Sequence, residues 1–253
     1  MSQSNLTHLW TAARWMAAAL ICKVCFSTVA NYVDYFPLNF EADFLIGRQP
    51  FFHGLYSVAF YTHILSAPVV LLGGLFLLNK QFRNHNLALH RIIGRNHVVM
   101  VLLLVTPSGI IMAQHSLAGW TSGLAFVVSS LLTAIFTLFA WRRAVQRKLV
   151  SHGQWMLRSY VLLCSAVTLR LIGGASVLLA IDPISSYRFA SWASWVIPLV
   201  TLELFFVSRK WNRKSKLLSS SPHSSALADH ESAEFRVPIA PQIPKGDDGF
   251  SSS

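Results

Sequence analysis

The stretch YVLLCSAVTLRLIGGASVLLAI, Tyr160 to Ile181, decides how this chain is read. At about 1.5 Å of rise per residue it is long enough, as a helix, to cross a hydrocarbon core of about 30 Å. One residue inside it, Arg170, is charged, and no acid lies nearby in sequence. A charge at that depth costs roughly 3 kcal/mol on insertion scales. Such a guanidinium normally faces a protein interior and has a partner. The stretch therefore reads as a membrane helix carrying a charged interior site.

Working outward, the rest of the chain has the same character. Of its 253 residues 53% are apolar and only 12% charged, and mean hydropathy is +0.48. Soluble domains are typically about 25% charged. Six transmembrane helices are predicted, at approximately 9–32, 57–79, 97–114, 120–141, 158–180 and 190–208. The predicted fold is all-α, a polytopic bundle over residues 1–208.

The net charge of +11 falls at the ends of apolar segments, which is a topology signal and argues against nucleic-acid binding. Lys80, Arg83, Arg91 and Arg95 lie between the second and third spans. Arg142, Arg143, Arg147, Lys148 and Arg158 lie between the fourth and fifth, and Arg209, Lys210, Arg213, Lys214 and Lys216 follow the sixth. The opposite side holds only Arg48 and Arg188. The positive-inside rule places both termini of this multi-pass chain in the cytoplasm, its first partner being the lipid bilayer.

The first span is read as a membrane helix: Lys23 interrupts its apolar run and no basic residue precedes Arg14, unlike a cleavable signal. Residues 34–56, with Asp34, Glu41, Asp43 and several aromatics, are expected as an external cap. Residues 209–253 are expected to form a disordered cytoplasmic tail, since the segment from about Ser215 is rich in Ser, Pro and Asp and short of aromatics. Cys22, Cys25 and Cys164 all lie in apolar runs and do not read as a disulfide framework. The C-x-x-C spacing of Cys22 and Cys25 lacks a preceding strand and reads as packing.

Three segments carry a resemblance: His90-Arg91-Ile92-Ile93-Gly94-Arg95, then His152-Gly153-Gln154-Trp155-Met156-Leu157-Arg158-Ser159-Tyr160, then Ala166-Val167-Thr168-Leu169-Arg170. In order and spacing they resemble the bacterial family of predicted membrane proteins called domain of unknown function 2306, over approximately residues 55–208. The resemblance implies a polytopic inner-membrane protein and brings no established activity. The positions matching its pattern are His63, His90, Arg91, Gly94, Arg95, His152, Trp155, Arg158, Ser159, Tyr160 and Arg170. Asn96-His97 departs from it, since family members often have an aromatic residue there.

Two groups of residues could carry chemistry. His90, Gly94 and His97 share one helical face, as do His152, Trp155 and Arg158, and both sets begin at the basic boundary. They suit a haem, a quinone head or a phosphate, with His90, His97 and His152 the candidate haem b ligands. They equally suit a belt of side chains bonding lipid headgroups. Deeper in the membrane, His63 and Arg170 fall at similar depths because their helices run in opposite directions. His63 with His115 is an outer alternative for paired histidines. Lys23 reads as a residue whose head reaches back to the interface. A direct Arg170–Glu203 pair would have to close a depth mismatch of about 9 Å at helical rise.

Pro68, Pro107 and Pro198 lie inside spans, and Gly73-Gly74, Ser108-Gly109 and Gly173-Gly174 allow close helix approach; kinks and small residues together can shape a cavity. No P-loop, dinucleotide fingerprint, H-E-x-x-H or G-x-S-x-G motif is present. Whether the protein is an enzyme stays open. The expected site is His63, His90, Arg91, Arg95, His152, Trp155, Arg158, Tyr160 and Arg170, with Glu203 as a polar partner, for an unidentified small ligand. Three functions remain: binding of a haem, quinone-like or anionic group; transport of a small molecule or proton through an Arg/His/Glu network; or a structural role without chemistry.

Overall fold

The computed structural model describes residues 3–42 and 44–219. It is helical, with helices α1 (Gln3–Ala30), α2 (Gly54–Leu78), α3 (Lys80–His85), α4 (Leu87–Met100), α5 (Thr106–Ala113), α6 (Trp120–Val145), α7 (Leu149–Leu163), α8 (Ser165–Leu178) and α9 (Pro183–Ser219). They form six helical stretches long and apolar enough to cross a bilayer: Thr11–Asp34, Gly54–Leu78, Leu87–Ala113, Trp120–Val145, Leu149–Leu178 and Pro183–Asn212. Two compact units are present, Met1–Leu202 and Glu203–Ser253.

Four boundaries differ from the sequence reading. The third stretch begins at Leu87 rather than near 97, the fifth at Leu149 rather than near 158, and the sixth at Pro183 rather than near 190. The basic connections are therefore largely helical. The cause in the first is a pair of asparagine caps: Asn79 Oδ1 accepts from the Gln81 N–H at 2.9 Å and Asn86 Oδ1 from the Leu89 N–H at 3.1 Å, restarting the helix twice. The last helix runs to Ser219, so residues 209–219, assigned to a tail on composition, are helical. The rest of the expected tail lies outside the described residues.

Three of the six stretches are irregular, each for a local reason. Pro68 has no N–H for the Ile64 carbonyl inside α2, and the Tyr32 hydroxyl donates to that carbonyl instead. Ahead of Pro107 the third stretch widens into a π-helical turn, Val101–Val105, whose hallmark is a Thr106 N–H bonded to the Val101 carbonyl five residues back. The fifth stretch breaks at Cys164 between α7 and α8. There the Val167 N–H bonds the Cys164 carbonyl three residues back, at 2.9 Å.

Within the first unit, small residues set the packing, as expected where lipid supplies no hydrophobic contrast. α6 buries Ala125, Ser129, Thr133, Thr137 and Ala140 along one face. Thr137 Oγ1 lies 2.6 Å from Ser159 Oγ of α7. A Cβ on Gly123 would sit 2.6 Å from the Ala113 carbonyl oxygen, so α5 and α6 touch backbone to backbone. The Tyr160 ring fills the space beside Gly74 of α2, and its hydroxyl donates to the Leu71 carbonyl at 2.8 Å.

Between α1 and α2 the chain folds into an aromatic cap. Tyr35, Leu45, Phe52, Tyr56 and Phe60 are buried together. Phe60 meets Tyr35 edge-on at 5.2 Å, Phe52 at 5.1 Å, and stacks on Phe44 at 5.4 Å. The segment expected as a cap is thus a small folded core seated on the start of α2.

Candidate functional site

The irregular helices surround a cavity of about 420 Å³ inside the first unit. Pro68, the end of the π turn with Thr106, and the residues either side of the Cys164 break all lie in its wall. Non-helical backbone at membrane depth is tolerated where it lines such a space. The volume falls in the ordinary range for small-molecule sites, roughly 300–1,000 Å³.

Four basic side chains reach the wall: Arg48, His63, His115 and Arg170. No Asp or Glu does so among the described residues, and none occurs anywhere between Asp43 and Asp182 in the sequence. The cavity is therefore a place of uncompensated positive charge.

Arg48 enters from the cap. It is 8% exposed, lies over the Phe44 ring at 4.1 Å, donates through Nη1 to the Phe44 carbonyl and bonds the Tyr56 hydroxyl. Its Nε is buried without a partner. Two turns of aromatic residues thus hold a guanidinium that is not neutralised by any carboxylate in the wall.

Arg170 enters from α8. It retains exposed surface, and its partners are neutral: Nη1 donates to the Ala166 carbonyl at 3.2 Å and Nη2 to Thr28 Oγ1 at 3.4 Å. The first bond lies within α8, and the second ties α8 to α1. The Tyr187 phenol lies within electrostatic reach of both Arg48 and Arg170.

His63 projects from α2. Its Nδ1 lies 3.0 Å from Ser108 Oγ, and the Ser108 hydroxyl already donates to the Leu104 carbonyl. The hydroxyl has one proton, so Ser108 Oγ accepts and the imidazole proton sits on Nδ1. His63 and Arg170, matched in depth by the sequence reading, line the same space. His115 closes the cap end, stacked on Phe51 at 4.0 Å. Further unsatisfied groups in the wall are Thr106 Oγ1 and Ser194 Oγ, both buried without a hydrogen-bond partner. Such orphans are uncommon in native interiors and mark a place for a polar ligand or water.

The other expected residues lie elsewhere. Tyr160 is a packing residue against Gly74. His97 is 3% exposed beside Gly73 and Gly74, with neither ring nitrogen partnered. At the basic end, His90 has a buried, unpartnered Nδ1 and lies within electrostatic reach of Arg83 and His152. His152 Nδ1 is bonded to the Ala140 carbonyl at 2.9 Å. Trp155 packs on Phe139 at 5.0 Å, and Arg158 lies over the Trp155 ring at 4.7 Å. Arg91 and Arg95 are exposed. Among the described residues no group of three His, Cys, Asp or Glu side chains converges to hold a metal ion. Glu203 belongs to the second unit. The structure thus separates the residues foreseen as one site into a cavity pair, His63 and Arg170, and a group at the basic end.

Arg48, Tyr56, Thr106, Tyr187 and Ser194 were not foreseen. Arg48 did carry a signal: it is one of two basic residues on the sparsely charged side, set among Phe44, Phe51 and Phe52. The others carried none, because a hydroxyl in a membrane helix is ordinarily satisfied by its own backbone.

Asp182, between α8 and α9, is outside the spans. The Ser185 N–H donates to Asp182 Oδ2 at 2.7 Å, capping α9 ahead of Pro183, and this bond holds the carboxyl below its ordinary range.

This architecture is that of a polytopic helical membrane protein. The chain belongs to the family of predicted membrane proteins designated DUF2306, whose model matches residues 60–206. No curated protein and no solved structure matches the chain significantly.

Proposed function

We propose that this membrane protein binds a small organic anion in the cavity between Arg48 and Arg170. The observation that carries the reading is charge imbalance: two guanidiniums line the space and, among the described residues, no carboxylate does. Buried charge left unpaired is costly, and Arg48 is buried with no carboxylate in the described wall, so the site gains most from an anionic occupant. Arginine offers several N–H groups in a fixed fork, suited to carboxylate, sulfonate or phosphate oxygens. Thr106 and Ser194 supply further hydroxyls, and the aromatic cap supplies an apolar wall. The partition of basic residues supports an inner-membrane setting with the cap outward, which would give the anion an entry from outside the cell.

The test is thermal stabilisation of the purified full chain in detergent. Probes are sodium decanoate and sodium 1-naphthalenesulfonate, with decanol and 1-naphthol as neutral counterparts. The anions should raise the melting temperature by several degrees and the neutral molecules should not, since a ligand stabilises only the state it binds. Arg48→Met and Arg170→Met should each reduce the anion-specific shift, because each removes one of the two guanidiniums. Equal shifts for anions and neutral molecules, or shifts unaltered in both variants, would overturn the reading.

A further inference from the structure

We infer that the ligand carries two anionic groups, one held at Arg48 and one at Arg170; this rests on the anion-binding reading. The two guanidiniums enter the cavity from different elements. Arg48 comes from the cap ahead of α2, and Arg170 comes from α8. Among the described residues no carboxylate in the wall neutralises either, and the Tyr187 phenol lies within electrostatic reach of both. One cavity thus receives two guanidiniums, its two positive poles, from two separate elements.

A monoanion placed at either pole leaves the other uncompensated. A dianion neutralises both, and tethering its two charges makes the second contact intramolecular, which multiplies affinity without adding any new kind of contact. Each pole has spare donors. Arg48 keeps Nε free after its bonds to Phe44 and Tyr56. Arg170 bonds only single neutral acceptors, at 3.2 and 3.4 Å. Thr106 and Ser194, whose buried hydroxyls have no hydrogen-bond partner, belong to the same wall. Much of the cavity wall is apolar, with Phe60, Ile64, Leu71 and Met112 among its residues. The ligand class that fits is an apolar body with an acid at each end, such as an α,ω-dicarboxylate.

The experiment is isothermal titration of the full chain in detergent with saturated α,ω-dicarboxylates from six to twelve carbons, each against the monocarboxylate of equal length. One length should bind at least tenfold more tightly than its monocarboxylate, at one molecule per chain. Arg48→Met and Arg170→Met should each remove that tenfold advantage, and Arg48→Lys should retain part of it. The length series is read on the wild-type chain, so it stands even if a variant fails to fold. Dicarboxylates no tighter than monocarboxylates at every length, with monocarboxylates binding, would overturn the two-pole inference and leave anion binding in place. Two monocarboxylates bound per chain with the affinity of one dicarboxylate would also overturn it, in favour of two independent ions. Failure of every carboxylate to bind would overturn both readings.

Discussion

The Tyr32 hydroxyl donates to the Ile64 carbonyl, the acceptor that Pro68 leaves without its helical N–H. A phenol from the turn after α1 thus completes the backbone bonding of α2, beside a proline that lines the cavity. Removing one member of such a pair leaves a buried acceptor unsatisfied, at a cost of about 1–3 kcal/mol. Tyr32→Phe is expected to lower stability by that amount in a detergent unfolding titration. Pro68→Ala restores an N–H to Ile64, so Tyr32→Phe should cost much less in a Pro68→Ala background. Equal costs in both backgrounds would show that the bond does not compensate the proline.

Gly74 and Tyr160 define a second dependence. A Cβ at position 74 would collide with the Tyr160 ring. Gly74→Ala should therefore destabilise the protein by about 1–3 kcal/mol, the usual range for overpacking. Tyr160→Leu, itself destabilising through the lost bond to Leu71, should reduce the added cost of Gly74→Ala. A double-mutant cycle on melting temperature reads that coupling, and strict additivity would argue that the two residues do not meet.

Ala180 ends α8 in the left-handed region, at φ 52°, with the Ile181 N–H closing back on the Ser176 carbonyl at 3.0 Å. A side chain there costs roughly 1–2 kcal/mol that glycine does not incur. Ala180→Gly should raise stability by about 1 kcal/mol, offset in part by the greater freedom of glycine in the unfolded chain. A melting temperature that falls instead would place the methyl group in a packing role.

The Asp182 cap gives a pH dependence of known sign. Its carboxyl is depressed in the folded protein, chiefly by the Ser185 N–H. Its contribution is therefore complete above the unfolded carboxylate pKa, about 3.9, and is lost as pH falls through the lower folded value. Asp182→Asn should remove that part of the acid dependence, while keeping most of the cap, because an asparagine oxygen also accepts. The check is stability measured between pH 6 and 3 for both proteins.

How much of this was legible in the sequence can be judged from particular residues. The six apolar runs announce themselves because hydrocarbon enforces both length and composition. His63 and Arg170 were placed at one depth by counting residues along opposed helices, and they do line one cavity. The starts of the third and fifth stretches were missed because basic, polar sequence reads as connection, whereas Asn79 and Asn86 cap new helical turns. His90, Arg95, His152 and Arg158 were grouped with Arg170 because all are basic in an apolar chain. Sequence shows which charges interrupt apolar runs and not which of them share a space. Tyr187 and Ser194 come to the cavity only through the rotation of α9, and no local pattern reports that angle.

The π turn at Val101–Val105 has one more consequence. It inserts a single residue into an otherwise regular helix, so everything after it is turned by about 100° relative to an uninterrupted helix. Thr106 and Gly109 face the cavity wall, and Ser108 meets His63, on that rotated side. The extra residue works as a rotational offset: excising one residue from the turn would straighten the helix and swing the hydroxyl supporting His63 to another face.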